Sequence, residues 1–94
     1  MPTYAIAQII VEDRKTLGKY REQAGNALAK HGGSIITAGP VAETLELSMD
    51  KPDVLALLSF PSRDAALAWR NDPELREIHA LRTKSGKSTI MVLS

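Results

Sequence analysis

Cysteine is absent from the 94 residues, which excludes a disulfide framework and a thiolate zinc site. Aromatic residues are scarce: Trp69, Phe60, Tyr4 and Tyr20 are the whole set. The core must therefore come from Ile, Leu, Val and Ala. Neither sign of charge dominates. With 12 basic and 11 acidic residues the net charge is +1, whereas a nucleic-acid binder is expected to be strongly basic. No apolar run approaches the ~20 residues that cross a bilayer. Met1-Pro2-Thr3 lacks the basic start and apolar stretch of a signal peptide. These absences point to one soluble domain over residues 1–94, cytoplasmic, with neither nucleic acid nor membrane as partner.

What is present is a 44% hydrophobic fraction, ordinary for a packed globule. Tyr4 to Val11 is rich in β-branched residues and reads as a strand. Both of its alternating faces are largely apolar. Asp13 then offers an N-cap, and Leu17, Tyr20, Ala24, Ala27, Leu28 and His31 recur at helical spacing. Gly32-Gly33 ends that helix. Ser34 to Ala38 reads as a second strand, interrupted by Gly39-Pro40. Val41, Glu43, Leu45 and Leu47 alternate with Ala42, Thr44 and Glu46, as in a half-exposed strand continuing the second. Val54 to Phe60 is a third strand, again apolar on both faces. Ser62 caps a helix through Trp69, and Asp72-Pro73 starts another with Leu75, Ile78 and Leu81 as its stripe. Thr83 to Lys87 reads as a polar loop before a last strand, Ser88 to Leu93.

The order matches the split βαβ pattern. The expected fold is α+β and ferredoxin-like, a four-stranded antiparallel sheet with helices on one face. Helices on one face leave the other bare, yet the first and third strands are apolar on both. A second copy packed sheet on sheet about a two-fold axis would cover it, so a homodimer is expected.

The ordered set His31-Gly32-Gly33, Glu43-Thr44-Leu45-Glu46, Phe60-Pro61-Ser62, Ala65 to Trp69, Asn71-Asp72-Pro73-Glu74 and Leu81-Arg82 resembles the bacterial domain-of-unknown-function family 1330. That family belongs to the dimeric α/β-barrel superfamily. The resemblance spans nearly the whole chain and implies a dimer whose two sheets form a barrel-like interior. It implies no established activity. Superfamily relatives include cofactor-independent monooxygenases, muconolactone-isomerase-like enzymes and binders of haem or small aromatic compounds. Two departures stand out: Arg70 where the family often has an aromatic residue, and a basic Thr83 to Lys87 segment.

Candidate chemistry is sparse. His79 could serve as a general base, its ordinary pKa being ~6.5, or be a partly exposed helix residue. His31 at a helix end could carry a proton or simply complement the helix dipole. The two lack any metal-ligand spacing, so no metal site and no cofactor is expected. Glu43 and Glu46, three apart on a strand, would face opposite ways. Glu43, beside Val41 and Leu45, is the better inward carboxylate. Arg82 could hold a carboxylate or phenolate by a forked hydrogen bond, or pair with Asp72 or Glu77. Trp69 could line an aromatic pocket or fill the core, and Asn71 suits a turn. Ser85-Gly86-Lys87-Ser88 is not a P-loop, since the earlier glycine is missing and a strand follows.

The reading is a binder of a small molecule in a cleft between helices and sheet, walled by Trp69, His79 and Arg82. One alternative is a cofactor-independent oxygenase or isomerase acting on a small aromatic or unsaturated acid, with His79, His31 or Glu43 as catalytic candidates. Another is a purely structural dimer.

Overall fold

The computed structural model describes residues 2–93. Strand β1 (Thr3–Val11) leads into helix α1 (Arg14–Ala29), then β2 (Ser34–Pro40) and β3 (Val54–Phe60). Helix α2 (Arg63–Asn71), a 3-10 turn (Pro73–Leu75), helix α3 (Arg76–Lys84) and strand β4 (Gly86–Val92) complete the chain. The sheet order is β2-β3-β1-β4 with every neighbouring pair antiparallel. β1 and β2 thus run the same way with β3 between them, and β3 and β4 flank β1. This is the α+β, ferredoxin-like split βαβ fold.

Local chemistry sets the boundaries. Asp13 caps α1 by accepting from the Thr16 N–H at 3.1 Å, and Ser62 caps α2 through the Ala65 N–H at 3.1 Å. Gly32 takes a φ of +73° after α1, where the Gly33 N–H returns to the Leu28 carbonyl at 2.8 Å. Asp72 accepts from the Glu74 N–H at 2.8 Å, starting the 3-10 turn with Pro73 at its head.

Alternation in β1 sorts its side chains. Ala5, Ala7 and Ile9 are buried under the helices. Leu58, Phe60, Leu28, Ala66, Trp69 and Leu75 share that core. The opposite face carries Tyr4, Ile6, Gln8 and Ile10. Register places Leu57 and Met91 beside Ile6, and Leu55 beside Gln8. No helix covers this side, as the sequence predicts.

Two boundaries differ from the sequence reading. Residues 41–53 form no strand. The β2–β3 ladder closes at the Val41 N–H to Asp53 carbonyl bond, 3.0 Å. Asp53 then turns toward β1: its N–H donates to the Ile9 carbonyl at 2.9 Å and its carboxylate accepts from the Val11 N–H at 2.7 Å. No strand remains opposite residues 42–47, so their alternation has nothing to pair with, and Leu45 is 97% exposed. The Thr83 to Lys87 loop shrinks to Ser85. α3 runs on to Lys84, and Ser85 is locked by accepting from the Glu12 and Asp13 N–H groups at 2.8 and 2.9 Å.

Candidate functional site

α1 lies against α3 and meets the edge strand β2 only in part, leaving most of that strand exposed. Between them is a cleft of about 380 Å³. The helical stripe Leu17, Tyr20, Ala24 and Leu28 forms one wall, and Ala38 of β2 and Leu58 of β3 belong to the other. Among the described residues the charged groups lining it are Arg21 and Arg82, with no carboxylate. A cleft walled by aliphatic side chains with a few convergent polar groups is the usual form of a small-molecule site.

Arg82 is 2% exposed. Its Nε donates to Ser88 Oγ at 3.2 Å. Its Nη1 donates to the Tyr20 hydroxyl at 3.2 Å and to His79 Nδ1 at 2.9 Å. The guanidinium carbon lies 5.4 Å from the ring centroids of both Tyr20 and Trp69, a cation–π distance. Among the described residues no acidic group forms an ion pair with it. The pairing with Asp72 or Glu77 considered from the sequence is not present. Burying a guanidinium without a counterion is costly, so this arrangement is chemically unusual.

His79 is 3% exposed, not partly exposed as its position in the sequence suggests. Its Nε2 lies 2.9 Å from the Trp69 carbonyl, and its ring packs edge-on against the indole at 4.7 Å between centroids. A carbonyl only accepts and a guanidinium only donates. The ring must therefore carry its hydrogen on Nε2 and offer the Nδ1 lone pair to Arg82. Burial foremost, then the nearby charge of Arg82, pushes its pKa below the usual histidine value. His79 is a neutral support for the guanidinium, with both ring nitrogens engaged.

The structure brings Trp69, His79 and Arg82 together, as the expected wall requires, but only Arg82 reaches the α1–sheet cleft. Trp69 lines a separate cavity of about 240 Å³ toward β4, which Arg82 also borders. His79 borders a shallow hollow with Arg70 and Thr83. The buried Trp69 Nε1 has no hydrogen-bond partner among the described residues.

His31 stands apart from this cluster. Its Nε2 meets Asp72 Oδ2 at 2.8 Å, and Lys30 Nζ reaches the same oxygen at 2.7 Å. Hydrogen bonds from Lys30, then His31, then the Glu74 N–H hold the Asp72 carboxyl well below the usual carboxylate range. The cluster clamps the end of α1 to the α2–α3 junction. Glu43 and Glu46 are exposed in the irregular segment and line none of the cavities described here; without a strand, the inward orientation expected for Glu43 has no basis. Asn71 ends α2, in keeping with a turn. Among the described residues no three His, Asp or Glu side chains converge as metal ligands.

Sequence reasoning missed Tyr20 and Arg21 as cleft residues. Tyr20 did carry a signal: it is the one phenol in an otherwise aliphatic helical stripe. Arg21 carried none, because an exposed helix arginine reads the same with or without a cleft beside it.

Comparison with known families matches residues 2–94 to the model described as Domain of unknown function (DUF1330). Comparison with curated proteins finds no match. Solved structures share the fold. A protein of unknown function from Rhodopseudomonas palustris, RPA0582, superimposes with a TM-score of 0.79 at 18% identity, covering 98% of this chain and 80% of that one. A dimeric ferredoxin-like protein of unknown function from Jannaschia sp. CCS1 gives a TM-score of 0.70 at 14% identity, covering 100% and 99%. SnoaB from Streptomyces nogalater, a cofactor-independent oxygenase, gives 0.63 at 12% identity, covering 99% and 90%.

Proposed function

Because the chain belongs to the family described as a domain of unknown function, DUF1330, its activity must be read from its own cleft, and we propose that it binds a small, mainly apolar molecule between α1 and the sheet. The observation that carries this reading is the Arg82 guanidinium, 2% exposed and without an acidic partner among the described residues, at the wall of an aliphatic cleft of about 380 Å³. Binding is favoured over proton transfer because His79, the sequence's best base, already uses both ring nitrogens. The oxygenase SnoaB shares the fold at 12% identity, and shared fold alone does not carry its chemistry over.

The same reading includes a homodimer. Tyr4, Leu55 and Met91 lie exposed on the uncovered sheet face, with Ile6 and Leu57 half-buried between them. The molecule measures 30 × 29 × 18 Å, and the sheet occupies one of its broad sides. That is room enough for the ~800 Å² per partner of a standard interface. Structural neighbours from Jannaschia sp. CCS1 and Thermobifida fusca are themselves described as dimeric.

Thermal-shift and calorimetric screening with small alicyclic and aromatic compounds tests the cleft. Binding should raise the melting temperature of the native protein. Ala38→Trp, which fills the cleft from the exposed strand β2, should abolish the effect while the protein still folds. A ligand response unaffected by Ala38→Trp would move the site elsewhere.

A further inference from the structure

We infer that the cleft selects a compact monoanion, a carboxylate on an apolar body, whose charged end pairs with Arg82 and Tyr20. The inference rests on the small-molecule reading above and adds the chemical class of its ligand.

Three observations support it. First, Arg82 is a buried cation that no acidic group among the described residues pairs with. Its polar contacts are Ser88, Tyr20 and the bare Nδ1 of His79, none of them charged. A bound carboxylate would supply the missing charge, and guanidinium–carboxylate pairs are among the strongest hydrogen-bonded contacts proteins make.

Second, donors are left over. Nε and Nη1 are committed, while Nη2 makes no hydrogen bond to any described residue. Tyr20 accepts from Arg82, so its own hydroxyl hydrogen remains available. Both residues line the cleft, and together they offer donors and no competing acceptor charge. His79 fixes the arrangement: its Nδ1 holds Nη1, and its Nε2–H is anchored to the Trp69 carbonyl.

Third, the rest of the cleft sets the ligand's body. Leu17, Ala24, Leu28 and Leu58 give an aliphatic wall, which disfavours sugars, nucleotides and polyphosphates with many polar groups to satisfy. Arg21, exposed at α1, adds a second positive charge on the lining and favours approach of an anion.

The test compares isosteres. Benzoate, cyclohexanecarboxylate and hexanoate would be titrated beside benzamide, cyclohexanecarboxamide and hexanamide. Melting temperature and the fluorescence of Trp69, the single tryptophan, are the readouts. At least one acid should bind at least about tenfold tighter than its amide, in line with the energy of a charge-assisted hydrogen bond. Arg82→Gln should remove that preference, and Tyr20→Phe, which keeps the ring, should reduce it several-fold. Should Arg82→Gln not fold, the acid–amide ratio of the native protein and of Tyr20→Phe still decides. Amides that bind as well as acids, with both blocked by Ala38→Trp, would overturn the anion while leaving the cleft reading intact. Failure of every acid and amide to bind would overturn both.

Discussion

Arg82 concentrates an imbalance in one side chain: a full positive charge held in the interior by neutral partners. Conventional buried ion pairs lose about 3–5 kcal/mol when one partner is cut away. Arg82 has no acidic partner among the described residues to strand, and its removal also removes a desolvated charge, leaving the neutral Nδ1 of His79 unpaired. Arg82→Met should therefore cost the ligand-free protein less than a broken buried ion pair does, under about 3 kcal/mol, the stranded His79 Nδ1 being offset by the charge no longer buried. Urea unfolding checks this; a loss of several kcal/mol would make the arginine a structural residue. His79 gives a companion prediction. Its folded pKa is depressed, by burial first and then by the charges of Arg82 and Arg70, with the hydrogen bond to the Trp69 carbonyl and the charge of Asp72 opposing. The unfolded chain takes up this proton near pH 6.5. Below that value the unfolded state binds more protons than the folded one, so this contribution is complete above about pH 6.5 and declines as pH falls toward the lowered folded value. His79→Gln should flatten the stability profile in that window, measured by unfolding at matched pH values.

Elements are fixed by a few close approaches. The α3–β4 junction is the tightest: a Cβ on Gly86 would lie 1.9 Å from the Ile10 carbonyl oxygen and 3.0 Å from the Glu12 nitrogen. Both are backbone atoms of the β1 end, so neither can move aside cheaply. Gly86→Ala should cost about 3 kcal/mol or more, the upper end of single-substitution effects, read by thermal or chemical unfolding. Element type was legible in every strand of the sheet and in all three helices, from β-branched content, helical spacing and capping residues together. The failure at residues 41–47 is instructive. Val41, Glu43, Leu45 and Leu47 carry a good strand alternation, but a strand also needs a neighbour. Asp53 commits its N–H and carboxylate to β1 and its carbonyl to Val41, and no further neighbour forms beyond it. Alternation reports which residues could share a face, not whether a partner is present.

For the whole molecule, the governing feature is a two-layer fold with one layer of helices and a sheet apolar on both sides. Leu57 sits on the uncovered face between Ile6 and Thr37. Leu57→Lys should disrupt the proposed dimer, halving the mass seen by light scattering while the far-UV spectrum keeps its shape. A native protein that is already monomeric at micromolar concentration would remove this prediction and the dimer with it.

The sequence by itself determined the fold class, the one-sided placement of the helices and the caps at Asp13, Ser62 and Asp72, because these depend on neighbours a few residues apart. It also held His79 and Arg82 three apart on one helix, a separation that allows contact. Tertiary structure alone decided that His79 turns its bare nitrogen to Arg82, that Tyr20 arrives from α1 to complete the group, and that no carboxylate among the described residues pairs with it. Those facts depend on how α1, α3 and the sheet approach one another. Residues 62 positions apart meet there, and hydrophobic periodicity carries no information about which polar group lies across such a gap.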